Sequence, residues 1–398
     1  MKELLFLVHR IPYPPNKGDK IRSYHILKHL SKFFRVHVGA FVDDPDDWRY
    51  AGELGPLCGE LKLLPLPPVL SKLRSLAGLL TGEALTLPYY RNREMGAWVD
   101  AIVRERPLAG ILVFSSAMSQ YVRGVESLPR VIDFVDVDSD KWRQYAEHKA
   151  WPMSWIYRRE SRCLLQFDRA IAHCFDQSLF VSEDESALFR RLAPECAHAV
   201  FTLENGVDTE YFDGGRHYAN PYPPGSEVLV FTGAMDYWAN VDAVVWMAKH
   251  IFPEVLRQRP AAQFYIVGSR PNAEALALAD GAGVVVTGAV EDIRPYLAHA
   301  RLALAPMRIA RGVQNKVLEA MAMGKSLLAT PAAIEGIEIS GQLDIKIADA
   351  PDAWAELICD ALGNMSLSAY SLRNREFVMR RYGWDHNLQK LDQLWECA

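Results

Sequence analysis

Twice along this chain, short apolar runs give way to loops and then to segments of helical periodicity, and the pattern restarts after one break. Before the break, the runs predicted as strands are Leu4–Val8, Arg35–Phe41, Gly110–Phe114, Arg130–Phe134, Arg169–His173 and His198–Thr202. After it they are Val228–Thr232, Gln263–Val267, Val284–Thr287, Leu302–Ala305 and Ser326–Ala329. Continuous apolar runs suit parallel strands covered on both faces, where alternating runs would suit a half-exposed sheet. The break is DGGRHYANPYPPGS (213–226), rich in Gly and Pro and without periodicity. The expected fold class is therefore α/β, with two doubly wound Rossmann-like parallel-sheet domains facing each other across a cleft. The expected boundaries are 1–212, a linker at 213–226, 227–381, and a C-terminal helix at 382–398 packing back on the first domain.

Residues 301–337 carry the most chemistry. Leu302–Ala305 reads as a buried strand stopped by Pro306, and a helix is predicted from Val313 to Met323 with Gly324 as its left-handed C-cap. Gly312 lets the intervening loop turn tightly. On the helix, Asn315, Lys316 and Glu319 share one edge, while Val317, Leu318 and Met321 form the apolar face. Arg308, Arg311 and Lys316 thus surround a helix N-terminus that has one carboxylate a turn further in, which is an anion site. A nucleotide sugar needs those parts: cations and N–H groups for two phosphates, and a carboxylate for ribose hydroxyls. The plainer alternative is a surface helix whose Lys316 and Glu319 form an exposed ion pair of little worth.

Composition excludes several classes. Half of the 398 residues are apolar and 23% are charged, a globular balance, and a net charge of −5 is wrong for a nucleic-acid binder. The six cysteines are scattered without a CxxC pair, so they are expected as small buried residues in a reducing compartment. The opening segment lacks a cleavage-type leader, and no uncharged run reaches the roughly eighteen residues that span a bilayer. A cytoplasmic protein is expected, at most touching the inner face of the cell membrane.

Three further stretches leave alternatives open. The loop after the first strand holds Gly18 at a place where α/β units bind ligands, but it is not a GxGxxG fingerprint. Residues 61–93 mix Leu and Pro with five cations and one acid. They read either as a helix packed on the sheet or as a basic–apolar lip resting on an anionic membrane or gripping a lipid-linked acceptor. In VIDFVDVDSDKW (131–142), Asp136 and Asp138 form a DxD. A divalent-ion site is one reading; the favoured one is that Ser139 or Asp140 caps a helix beginning near Lys141 while Asp136 faces a sugar.

Together, RIPYPPNKGDKIRSYH (10–25), VIDFVDVDSDKW (131–142), ENGVDTEYF (204–212), FTGAMDYWANVDAVVW (231–246), VTGAVEDIRPYL (286–297) and APMRIARGVQNKVLEAMAMGK (305–325) fall in order over nearly the whole chain. The set resembles GT-B glycosyltransferases of family 4. More narrowly, it resembles the sugar transferases associated with PEP-CTERM/exosortase exopolysaccharide systems. The resemblance implies a retaining transferase using a nucleotide-diphosphate sugar; no cofactor is expected, and the cations Arg308, Arg311 and Lys316 lead to the expectation that no metal is needed. It implies that Glu319 binds donor ribose, that Gly312, Val313 and Asn315 meet the diphosphate, and that Gly18 faces the donor from the other domain. Gly233 opens the corresponding loop of the second half. Two departures stand out. Arg311 occupies the place of the family's first glutamate, and Ala234 and Asn240 stand where relatives carry phosphate-holding Arg and Lys.

The mechanism so implied has Arg308, Arg311, Lys316 and the backbone around Gly312 stabilising charge on the leaving diphosphate. An acceptor hydroxyl, of a saccharide or lipid-linked saccharide, would attack from the side of Gly18 and Asp136. A nucleotide-sugar epimerase on the same scaffold is the alternative within enzymes, although the 308–316 run offers no acid/base pair for it. A non-catalytic two-domain binding protein is the alternative outside them.

Overall fold

In the computed structural model, the described residues are 1–398 other than 16, 148, 311–312, 340, 364–370, 393 and 396–398. The chain divides into two compact units, Met1–Asn205 with Asn387–Ala398, and Gly206–His386. Each is built on one parallel sheet.

The first unit holds β1 (Lys2–Val8), β2 (Phe34–Val42), β3 (Leu61–Pro65), β4 (Leu108–Phe114), β5 (Arg130–Val135), β6 (Gln177–Phe180) and β7 (Val200–Thr202). Their spatial order is β3-β2-β1-β4-β5-β6-β7, so the chain reverses direction across the sheet between β1 and β4. Leu4 to Val8 of β1 are all fully buried, because helices cover both faces of a central parallel strand. Leu5, Ile111, Val113, Ile132 and Phe180 join one core.

The second unit repeats the plan with β8 (Glu227–Thr232), β9 (Ala262–Val267), β10 (Val284–Gly288), β11 (Leu302–Ala305), β12 (Leu327–Ala329) and β13 (Ile345–Ile347). Their order, β10-β9-β8-β11-β12-β13, places the equivalent reversal between β8 and β11. In such sheets ligands bind outside the carboxyl ends of the strands at that reversal.

Several expectations shift. Arg169–His173 is not a strand but the last turns of a long helix, Met153–Cys174. Ser154, Glu160, Leu164, Asp168, Ile171 and Ala172 are its buried positions, a helical spacing that a short apolar window conceals. The 213–226 segment is not a free linker: Tyr222 is buried in the second unit's core and bonds the Tyr296 carbonyl at 2.6 Å. The helix Trp384–Asp392 contains the return to the first unit, where His29 meets Asp392 at 2.7 Å and Trp395 packs edge-on against Phe34. Residues 61–93 form not one helix packed on the sheet but β3 followed by the short helices Pro68–Ser75, Ala77–Thr81 and Thr86–Tyr90. Among the five described cysteines, all free, only Cys196 is buried and Cys174 is exposed.

Candidate active site at the second sheet reversal

Loops from neighbouring strands of the second sheet converge at its carboxyl edge. Gly233 follows β8 and donates to the Val267 carbonyl at 3.0 Å, while Gly268 follows β9 and donates to the Gly288 carbonyl at 3.2 Å. A Cβ on Gly268 would lie 1.7 Å from the Gly233 oxygen, so the two loops touch backbone to backbone and only glycine fits.

The predicted helix after β11 begins two residues late and spans Asn315–Ala322, with Gly324 at φ +65 just beyond it. Gln314 occupies the N-cap, its side chain makes no capping hydrogen bond, and no acid stands in the first turn. Val317 and Leu318 donate their N–H groups to the Gln314 carbonyl, and no side chain caps the positive dipole end at Asn315 and Lys316. The side-chain oxygen Oδ1 of Asn315 is buried there without a hydrogen-bond partner among the described residues.

Lys316 reaches back from this helix to the β8 loop. Its Nζ donates to Asn240 Oδ1, lies 4.4 Å from the Phe231 ring centroid and 3.6 Å from Met307 Sδ. Asn240 in turn donates to the Ala234 carbonyl at 2.8 Å, and a Cβ on Gly233 would meet Lys316 Nζ at 3.3 Å. The lysine is thus aimed at the strand reversal by a neutral amide and an aromatic face. Desolvation lowers its ammonium to about 7, with the Glu319 charge opposing. The same crowding raises the Glu319 carboxyl to about 7, with Lys316 opposing. The Glu319 carboxylate makes no hydrogen bond to a described residue, and the residue keeps part of its surface exposed.

Arg308 is placed differently from its expected role. Its Nε bonds Asp242 at 3.0 Å, its Nη2 bonds the other carboxylate oxygen, and the guanidinium leans toward Trp246. Asp242 therefore neutralises one of the three expected cations. It lies on the Trp238–Trp246 helix, and its spacing from Arg308 offered no sequence signal. A second missed group sits beside Glu319: Tyr211 feels that carboxylate's charge and lies beneath Arg294, whose guanidinium carbon is 3.9 Å from the ring centroid. Asp292 fixes Arg294 with bonds of 2.8 to 3.0 Å. Val313 is half-buried close to Gly336. Arg311 and Gly312 lie outside the described residues.

The two remaining expected residues belong to the first unit. Gly18 is the first residue of the helix Gly18–Leu30 rather than part of a loop, and a Cβ there would meet nothing within 4 Å. Asp136 follows β5, and both it and Asp138 pair with Lys141, at 2.7 and 3.2 Å. The helix here begins at Asp138, ahead of the residues expected to cap it. Among the described residues no group of three or more His, Cys, Asp or Glu could hold a metal ion.

Residues 226–364 match the family model described as "Glycosyl transferases group 1". The second unit carries a glycosyltransferase group 1 domain. No curated protein matches the chain. Among solved structures, it is similar to sucrose-phosphate synthase from Thermosynechococcus elongatus, with TM-score 0.70 and 16% identity over 100% of this chain and 99% of that one. HepE from Anabaena in complex with UDP-glucose gives 0.63 and 15%, covering 100% of both chains. WaaG, a glycosyltransferase involved in lipopolysaccharide biosynthesis, gives 0.64 and 17% over 98% of this chain and 99% of that one. The fold is GT-B, with two Rossmann-like units, and the glycosyltransferase domain marks the chain as a sugar transferase.

Proposed function

We propose that this transferase moves a sugar from a nucleoside-diphosphate donor, with retention, to a saccharide or lipid-linked saccharide acceptor in exopolysaccharide or cell-surface glycan synthesis at the cytoplasmic side of the membrane. The observation that carries the donor half of this reading is the uncapped N-terminus of the Asn315–Ala322 helix. Among the described residues the desolvated Lys316 ammonium is held by a neutral amide, a thioether and an aromatic face, with no carboxylate bound to it, and the Glu319 carboxylate lies one turn on without a hydrogen bond to a described residue.

The chemistry follows from those groups. The diphosphate accepts the N–H groups of Asn315 and Lys316 and draws the Lys316 proton into a charge-assisted bond. Glu319 accepts hydroxyls of the ribose. As the glycosidic C–O bond stretches, negative charge grows on the departing phosphate oxygen, and Lys316 and the helix end stabilise it more than they did the ground state. Arg308 contributes once a phosphate competes with Asp242 for its guanidinium. Asp136 and Gly18 belong to the acceptor side on this reading, and Arg311 and Gly312 to the diphosphate loop.

HepE is solved with UDP and with UDP-glucose, so uridine donors come first in the test. Titration calorimetry of the full chain with UDP should give binding that Lys316→Ala weakens on the order of tenfold, about 1.4 kcal/mol. Absence of binding by UDP and the other nucleoside diphosphates would overturn the assignment. Because cationic side chains neutralise the diphosphate here, turnover is expected to persist in EDTA; loss restored by magnesium would move the role to Asp136 and Asp138.

A further inference from the structure

The helices between 68 and 81 invert the usual arrangement of a surface helix. Their buried positions are Ser71 and Gly78, with Ser75 half-buried, while Val69, Leu70, Leu73, Leu76 and Leu80 are exposed, Leu80 at 93%. Positions 71, 75 and 78 recur at helical spacing, so the inward stripe is made of small residues and the aliphatic stripe faces out. A helix serving only its own domain buries the aliphatic stripe instead.

Charge lies on the same outward side. Lys72 and Arg74 are exposed, and no acid occurs between Glu60 and Glu83. Arg74 donates to the Arg91 carbonyl and the Ser71 hydroxyl, neither of which neutralises it. Glu83 is itself bound by Arg91.

A second apolar group adjoins the first. Trp151 is 81% exposed, and Met153 and Trp155 are exposed beside it at the start of the Met153–Cys174 helix. Lys149 and Arg158 are exposed with them, and the only acids flanking this stretch are Glu147 and Glu160. Arg159 donates to the carbonyls of Gly78 and Glu83, and Glu160 accepts the N–H groups of Leu85 and Thr86. Trp155 is one turn ahead of Arg159 and Leu80 two residues past Gly78, so the two groups are fixed side by side on one body. Leucines flanked by tryptophans and unneutralised cations are the composition of a surface that lies in a bilayer interface.

We infer that this face of the first unit rests on an anionic lipid bilayer. Leu70, Leu73 and Leu80 enter the acyl boundary, Trp151 and Trp155 sit at headgroup depth, and Lys72, Arg74 and Arg158 meet lipid phosphates. The chain's net charge of −5 makes the attraction local rather than global. The inference deepens the acceptor side of the proposed function but is read without nucleotide, so the two can fail separately.

Co-sedimentation tests it with the full chain and vesicles of phosphatidylcholine alone or mixed equally with phosphatidylglycerol. The mixed vesicles should bind the protein at low salt on the order of tenfold more tightly than the neutral ones. Leu73→Glu/Leu80→Glu should abolish that binding and Trp151→Ala/Trp155→Ala should weaken it several-fold, with circular dichroism melting and UDP titration unchanged. Wild-type protein left in the supernatant with mixed vesicles would overturn the inference, as would binding insensitive to the leucine pair. So would a wild-type dimer that Leu73→Glu/Leu80→Glu splits into monomers, since a second copy would then be what covers the face.

Discussion

The two units share a strand order and differ in what they do with charge at the reversal. In the first, charges near β1 and β5 are spent within the unit. Arg22 and Asp133, both fully buried, are joined by bonds of 2.7 and 3.2 Å, and Arg22 also bonds Asn205 at 2.9 Å. Asp19 receives Arg10 at 2.8 Å and His9 at 3.3 Å. Burial opposes its ionisation, but those two partners hold its carboxyl well below the usual range. In the second unit, Lys316 is desolvated against a neutral amide and the Glu319 carboxylate has no hydrogen bond to a described residue. Topology supplies a crevice to both sheets; unspent charge singles out the one suited to a diphosphate.

That contrast can be broken by mutation. Arg22→Ala should cost about 3–5 kcal/mol of stability by stranding Asp133 in the core. Denaturant melts would read it, while UDP affinity of the folded fraction stays unchanged. Lys316→Ala should do the reverse, lowering transfer at least tenfold, about 1.4 kcal/mol or more. Its melting temperature should hold or rise, because a desolvated ammonium has been removed. A large loss of stability in Lys316→Ala would mean that its charge, like Arg22's, is structural. Glu319→Gln should weaken the nucleoside more than the bare diphosphate, by several-fold in titrations comparing UDP with pyrophosphate.

A smaller effect is expected with pH. The lowered Lys316 ammonium loses its proton as pH rises through about 7, whereas bound phosphate favours the charged form. Diphosphate affinity should therefore fall as pH rises from about 6 to about 9, and binding near neutrality should take up protons. Calorimetry in buffers of different ionisation enthalpy would measure that uptake, and none would contradict the desolvated state. Smallest of all, Asp242→Asn frees an exposed guanidinium and should tighten UDP binding by under about 1 kcal/mol, with a steeper salt dependence.

Most strands were legible because a parallel strand buried on both faces must be apolar throughout, and Leu302–Ala305 matches to the residue. Arg169–His173 failed because a short apolar window cannot tell a strand from one turn of a long buried helix. Lys316, Asn315 and Glu319 were legible because one helix sets their spacing. Asp242 and Arg294 were not, since each gains its meaning from a partner that folding brings close: Arg308 across 66 positions and Tyr211 across 83.

The sequence by itself determined the α/β alternation, its two rounds, and the helix edge carrying Lys316 and Glu319, because periodicity and local spacing are properties of neighbours along the chain. Only the tertiary structure decided which charges remain free and which face of 68–81 points outward. Burial and ion pairing are settled between residues far apart in sequence, so the same leucines that could have filled a core are left on a surface, and Arg308 is bound to an aspartate while Lys316 is not.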